Sequence, residues 1–227
     1  MKTTLNKLAQ ALALAGALLT TALSAHASVI SYTDFTAFQA ALAGNGSDNY
    51  DDLVAGGPLS GALSRMAGSF DYQVAAVPSA LNAGQLGDSD FYPVAPGGTT
   101  ALSTNFADST LHFTGFASTV RGLGGRFFST DVDGALVAST QLLLLSLTEA
   151  DGTVTQESVN TGLSGFYGFI STGSLLAFSV QNTNGNWASV DDFSVGAAAN
   201  AVPEPASLGL ALCGLMLATS FRRRRGR

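Results

Sequence analysis

Between Ser28 and Asn200 the chain is a series of short apolar runs, each closed by Gly, Asp, Asn or Ser, and this spacing constrains the fold more than any other feature. "FDYQVAAV" (Phe70–Val77) alternates in polarity. So does "STLHFTGF" (Ser109–Phe116), where Leu111 and Phe113 share one face and His112 takes the other. "TVRGLGGRFF" (Thr119–Phe128) carries three glycines, the mark of a bulge or of close backbone packing. In "QLLLLSLTEADGTVTQES", Asp151-Gly152 reads as a type I′ hairpin turn. "GFYGFIS", "SLLAFSV" and "WASVDDFSVG" complete about nine expected strands. The expectation is an all-β, jelly-roll-like antiparallel β-sandwich. One short N-terminal helix is predicted in "YTDFTAFQAALAGNG", with Phe35, Phe38 and Leu42 on one face, Thr33 or Asp34 as cap and Gly44 as stop, packed on a sandwich edge. "AGGPLSGALSRMAGS" and "PSALNAGQLGDSDFYPVAPGG" read as loops.

Charge narrows the function. Lysine is absent from 28–200, and Arg65, Arg121 and Arg126 stand against thirteen Asp and two Glu, a net charge of −12. Such a field repels phosphate backbones, so no nucleic-acid partner is expected. The only cysteine, Cys213, lies near the C-terminus, so this segment forms no disulfide and no cysteine-type zinc site. Its one histidine is His112, which removes two-histidine chemistry.

The two ends read differently from the middle. Lys2 and Lys7, the apolar "ALALAGALL" and Ala25-His26-Ala27 form a secretory signal peptide over 1–27, cut to leave Ser28. The small residues at Ala25 and Ala27 weigh against an uncleaved anchor. The ectodomain is assigned 28–197, with a linker over 198–205. Residues 206–221 form an apolar run of 16, read as a single C-terminal transmembrane helix although slightly short for one. A basic cytoplasmic tail (222–227) follows, in which Arg222, Arg223, Arg224 and Arg225 stop transfer.

Chemistry-bearing residues are sparse. "STDVDG" places Asp131 and Asp133 two apart before a glycine, facing the same way if extended. Together with Asp191 they are the candidate ligands of a structural calcium, the only cofactor entertained; a solvated turn is the simpler reading of the same residues. Asp191 and Asp192 should point to opposite faces of a strand. Trp187, the single tryptophan, is the candidate for stacking on a sugar ring, with core packing as its alternative; Tyr92 and Tyr167 are open in the same way. Asp51-Asp52, Asp88/Asp90 and Glu149/Asp151 supply carboxylate pairs for glycoside hydrolysis, but only acids facing across a cleft would serve. No nucleophile elbow, P-loop or dinucleotide fingerprint is present, so no enzymatic activity is expected.

Val202-Pro203-Glu204-Pro205, the glycine-containing apolar run and the terminal arginines resemble a bacterial PEP-CTERM sorting signal. Two prolines keep the motif extended where the helix would otherwise begin. The resemblance implies processing by exosortase after signal peptidase, transient anchoring in the inner membrane, and delivery to the cell surface or extracellular space of a polysaccharide-producing Gram-negative bacterium. The early "F-x-x-F-x-x-A-L", "GFYGFIS" and "ASVDDFSVG" are similar to segments of PEP-CTERM ectodomains, and they carry over no catalytic residue. The expected role is a structural or adhesive matrix protein in contact with exopolysaccharide. A carbohydrate-binding module is the alternative, and a polysaccharide-active hydrolase the remoter one.

Overall fold

The computed structural model describes residues 28–137, 142–160, 163, 165–182 and 184–198. Residues 1–27 and 199–227, where the signal peptide, the Pro-Glu-Pro motif and the apolar run fall, lie outside them. Twelve strands and one helix follow in order: β1 (Val29–Tyr32), α1 (Phe35–Ala40), β2 (Leu42–Asp48), β3 (Leu63–Ala67), β4 (Phe70–Val77), β5 (Leu102–Ser103), β6 (Thr110–Thr114), β7 (Val120–Thr130), β8 (Leu143–Glu149), β9 (Val154–Val159), β10 (Phe166–Ser171), β11 (Leu175–Asn182) and β12 (Trp187–Ala198). Sheet 1 runs β1-β10-β7-β12-β2, with β5 also paired to β12; sheet 2 runs β3-β4-β6-β11-β8-β9. The pairings are antiparallel, and the two sheets make the expected sandwich.

Alternation places the core. Leu143, Leu145 and Leu147 of β8, Leu111 and Phe113 of β6, and Val190, Phe193 and Val195 of β12 are buried between the sheets. Phe113 and Phe193 stack across the interface at 4.3 Å between ring centroids, and Phe178 and Tyr72 pack around them. Such aromatic pairs add to the area that they bury.

Four local expectations differ from the structure. The helix ends at Ala40, and Leu42–Asp48, with two glycines, becomes β2, so Gly44 stops nothing. The segment read as the loop "AGGPLSGALSRMAGS" contains β3. The β8–β9 turn has positive φ only at Gly152 (88°), with Glu149 N–H donating to Thr153 O; it is a three-residue loop, not type I′, which needs positive φ at both central positions. Finally, α1 lies on the outer face of sheet 1. Asp34 caps it by accepting from Ala37 N–H at 2.6 Å, and Phe38 is fully buried.

That position depends on missing side chains. Gly122 pairs with Gly196, and Gly124 with Gly168, so four glycines meet on one face of β7, β10 and β12. Phe38, Leu42 and Phe166 fill the space: a Cβ at Gly124 would sit 2.6 Å from Phe166, one at Gly168 2.9 Å from Phe38, and one at Gly196 2.5 Å from Leu42. The three glycines of "VRGLGG" thus mark close packing.

The sheets are also tied by a polar clasp. Asp48 ends β2 in sheet 1, and Arg65 of β3 and Tyr72 of β4 reach it from sheet 2. Arg65 donates through Nε (2.9 Å) and Nη2 (2.6 Å), and the Tyr72 hydroxyl donates at 2.7 Å. Tyr50, at φ 57°, donates its N–H to the same carboxylate, and its hydroxyl lies 2.9 Å from that of Tyr72. Arg65 also binds Asp52 with two 2.7 Å bonds. Burial, with Asp48 alongside, raises both phenols well above their ordinary value, and the hydrogen bonds that Arg65 donates to Asp52 and Asp48 raise the guanidinium.

Two comparisons test this account. Gly168→Val should lower stability by about 1–3 kcal/mol through overpacking beneath α1, whereas Gly44→Ala, with open space around it, should stay within about 0.5 kcal/mol; thermal denaturation reads both. Asp48→Ala removes the buried acceptor shared by Arg65, Tyr72 and the Tyr50 N–H and should cost about 3–5 kcal/mol in urea titration, while Asp52→Ala, whose side chain is 65% exposed, should cost about 1 kcal/mol or less.

Candidate functional site: a groove on the outer face of sheet 1

The long antiparallel pair β7–β12 sets the outer face of sheet 1. Directly opposed residues share a face, so the outward pairs run Gly122/Gly196, Gly124/Ser194, Arg126/Asp191, Phe128/Ser189 and Thr130/Trp187. The glycine end receives α1. Phe128, further along, is covered by Val94 and Ala101, which pair across the loop between β4 and β5, while Tyr92 and Leu163 flank them. Past Thr130 the chain turns sharply. Asp131 Oδ1 accepts from Asp133 N–H (3.0 Å) and Ala135 N–H (2.9 Å), and Gly134, at φ 76°, packs so near Val94 that a Cβ there would fall 2.8 Å away.

The cover stops short of Trp187, and a groove of about 240 Å³ remains. Tyr92, Ser103, Asn105, Thr130, Asp131 and Trp187 give it aromatic and polar walls. Trp187 is partly exposed, its ring fixed by an Nε1–H bond to the Asn105 carbonyl at 3.0 Å. Beneath the lining residues Ser103 and Thr130, the buried Ser189 links their hydroxyls: its Oγ donates to Ser103 Oγ at 2.9 Å and lies 3.1 Å from Thr130 Oγ1. Beyond the shared wall of Tyr92 and Val94 the groove widens into an open trough of about 610 Å³ bordered by Pro93, Pro96, Val132, Asp133 and Leu136. An aromatic face beside fixed hydroxyl, amide and carboxylate groups is suited to a ligand with alternating C–H and O–H surfaces.

The structure therefore gathers Trp187, Tyr92 and Asp131 in one groove and Asp133 in the adjoining trough. Asp191 is not in the groove lining. It is buried near Arg126 Nη2 (3.7 Å) and accepts from Thr99 Oγ1 at 3.1 Å. No group of three or more His, Cys, Asp or Glu side chains suited to a metal occurs among the described residues, so the proposed calcium trio is not brought together. Asp191 and Asp192 do not take opposite sides either. The register shifts between Asp191 and Ser194, Asp192 adopts φ 50°, and both carboxylates turn to Arg126, with Asp192 in direct contact. Tyr167 is buried away from the groove, against Glu157.

The nominated hydrolytic acids are engaged elsewhere. Asp52 pairs with Arg65, Asp51 accepts Thr100 N–H, Asp88 accepts Gly84 N–H, and Asp151 accepts Thr153 N–H in the β8–β9 turn. Asp90 accepts the Asn105 N–H through its backbone carbonyl. Glu149 is fully buried, with Oε1 bonded to Ser171 and Oε2 without a partner. The carboxylates bordering the groove and trough, Asp131 and Asp133, come from one turn, and among the described residues no other acid lines either space. Asn105, Ser103 and Thr130 carry no motif in the sequence; the loop between β4 and β5 and the β7–β12 register bring them together.

No protein-family model matches the sequence, and no curated protein matches it. Among solved structures, the CBM22-1 xylan-binding domain of Paenibacillus barcinonensis Xyn10C aligns over 68% of this chain and 94% of its own, with 16% identity and a TM-score of 0.32. TmCBM61, solved with β-1,4-galactotriose, aligns over 56% and 88%, with 13% identity and a TM-score of 0.30. At these scores the sandwich assignment rests on the strand pairings themselves.

Burial raises the Asp191 carboxyl above its ordinary 3.8, and Arg126 and Thr99 only partly oppose this. The folded state thus binds this proton more tightly than the unfolded chain. The group's contribution to stability is full below pH 3.8 and is lost as pH rises through the folded value. Asp191→Asn should remove that descending component, so in denaturation measured across the acid range the variant should lose less stability than the parent as pH rises.

Proposed function

We propose that this protein is a non-catalytic polysaccharide-binding protein, exported and held at the cell surface or in the extracellular matrix, where adhesion to glycan is its activity. The observation that supports the reading best is the partly exposed Trp187, fixed by Asn105 beside Tyr92 and Asp131 at the groove. A structural tryptophan needs no polar groove along its face. A sugar ring needs both an apolar face and directional hydrogen bonds. The reading joins the adhesive role expected from the sequence to a specific surface.

Trp187→Ala should weaken binding to the recognised polysaccharide by roughly 30-fold, about 2 kcal/mol, in titration calorimetry, with the near-ultraviolet dichroism of the core aromatics retained. Unchanged affinity would remove the groove from consideration.

Delivery is proposed from the ends of the chain. The Val202-Pro203-Glu204-Pro205 motif, the apolar run and the arginine cluster support sorting and removal of the tail by an exosortase. Intact-mass measurement of the mature protein should find an N-terminus at Ser28 and a C-terminus upstream of Arg222. A protein that still ends at Arg227 in cells with active exosortase would show a permanent anchor instead.

A further inference from the structure

We infer that the groove selects uncharged polysaccharide and rejects uronate-bearing or sulfated chains, a specificity that rests on the glycan-binding reading above. Asp131 is the deciding group. Its Oδ1 is held by two backbone N–H groups, so the carboxylate is fixed at the groove wall, where it accepts hydrogen bonds and donates none. Asp133 adds a second negative charge where the groove widens. Neutral sugars present hydroxyl donors to such a wall, whereas an anionic sugar presents a like charge.

Among the described residues no arginine or lysine offsets that repulsion. Arg65 is held by Asp48 and Asp52, and Arg126 by Asp191 and Asp192. Arg121 donates to the Ser118 and Val120 carbonyls. None of the three lines the groove or the trough, and lysine is absent from 28–200. The remaining polar groups at the narrow part are the neutral Ser103, Thr104, Asn105, Thr130 and Tyr92. Like charges across a desolvated contact act mainly on partner choice, which makes this wall a filter more than a source of affinity.

The test uses the full-length chain in titration against neutral probes (a β-1,4-glucan, a β-1,4-xylan and a β-1,4-galactan) and acidic ones (polygalacturonate, alginate and a sulfated galactan), each with chelator and with calcium. The expected result is binding to at least one neutral chain and at least about tenfold weaker binding to every acidic chain, independent of calcium. Asp131→Asn keeps an oxygen for the two turn N–H bonds and removes only the charge, so it should narrow that gap, acidic chains gaining affinity relative to the neutral one. Equal or preferred binding of an acidic chain, an unchanged gap in Asp131→Asn, or acidic binding that appears only with calcium would each overturn the inference. Neutral binding that survives Trp187→Ala would instead overturn the groove reading, and with it this one. Failure of both probe sets would overturn the two together.

Discussion

The pairing of β7 with β12 organises most of what lies outside the core. Its five outward residue pairs change in character along the ladder: bare backbone, then an ion pair, then an aromatic ring, then a threonine beside the tryptophan. Each receives a different cover. The helix sits where side chains are absent, the loop between β4 and β5 sits on Phe128, and the groove remains where the loop ends before Trp187. A one-residue slip would invert the faces, placing Phe127 and Val190 in solvent and Arg126 and Asp191 in the core. Core and groove therefore depend on one register.

Two kinds of polar contact divide the work. The Asp48 clasp is buried, its acceptor on sheet 1 met by donors from sheet 2 and from the turn after β2, so it aligns the sandwich and discriminates against other packings. The Asp131 turn is exposed, and its hydrogen bonds are spread over five residues. It holds one charge still without contributing to the core. Arg65 serves the first kind of contact and Arg126 the face beneath the loop, and among the described residues no arginine or lysine lines the groove.

The sandwich was legible in the sequence because buried alternation repeats in runs such as Phe70–Val77 and Ser109–Phe116. β2 was not. "LAGNGSD" has the composition of a turn, yet it pairs with β12 as a strand, and its Gly46 passes so close to the Ala67 carbonyl that a Cβ would lie 2.3 Å from its oxygen. The polarity of the segment conceals a steric requirement that only the folded neighbours reveal. The groove was partly legible: the Asp-x-Asp-Gly turn and the lone tryptophan stand out in the sequence, but their proximity follows from Thr130 pairing with Trp187, 57 positions apart. Asp191 was misplaced beside them for the converse reason, since a bulge at Asp192 redirects both carboxylates to Arg126. The Asp48–Arg65–Tyr72 clasp left no local trace, because each of its members comes from a different strand.

β12 changes partner along its length, pairing with β5 over Ser189 and Val190 and with β2 from Phe193 onward. That side of sheet 1 consequently offers no long uninterrupted row of free backbone groups: β5 is two residues long, and β2 carries a register shift and two glycines. A strand from another molecule would find little to template on. Copies of the chain brought close together would therefore meet little on this side that could fuse them into a common sheet.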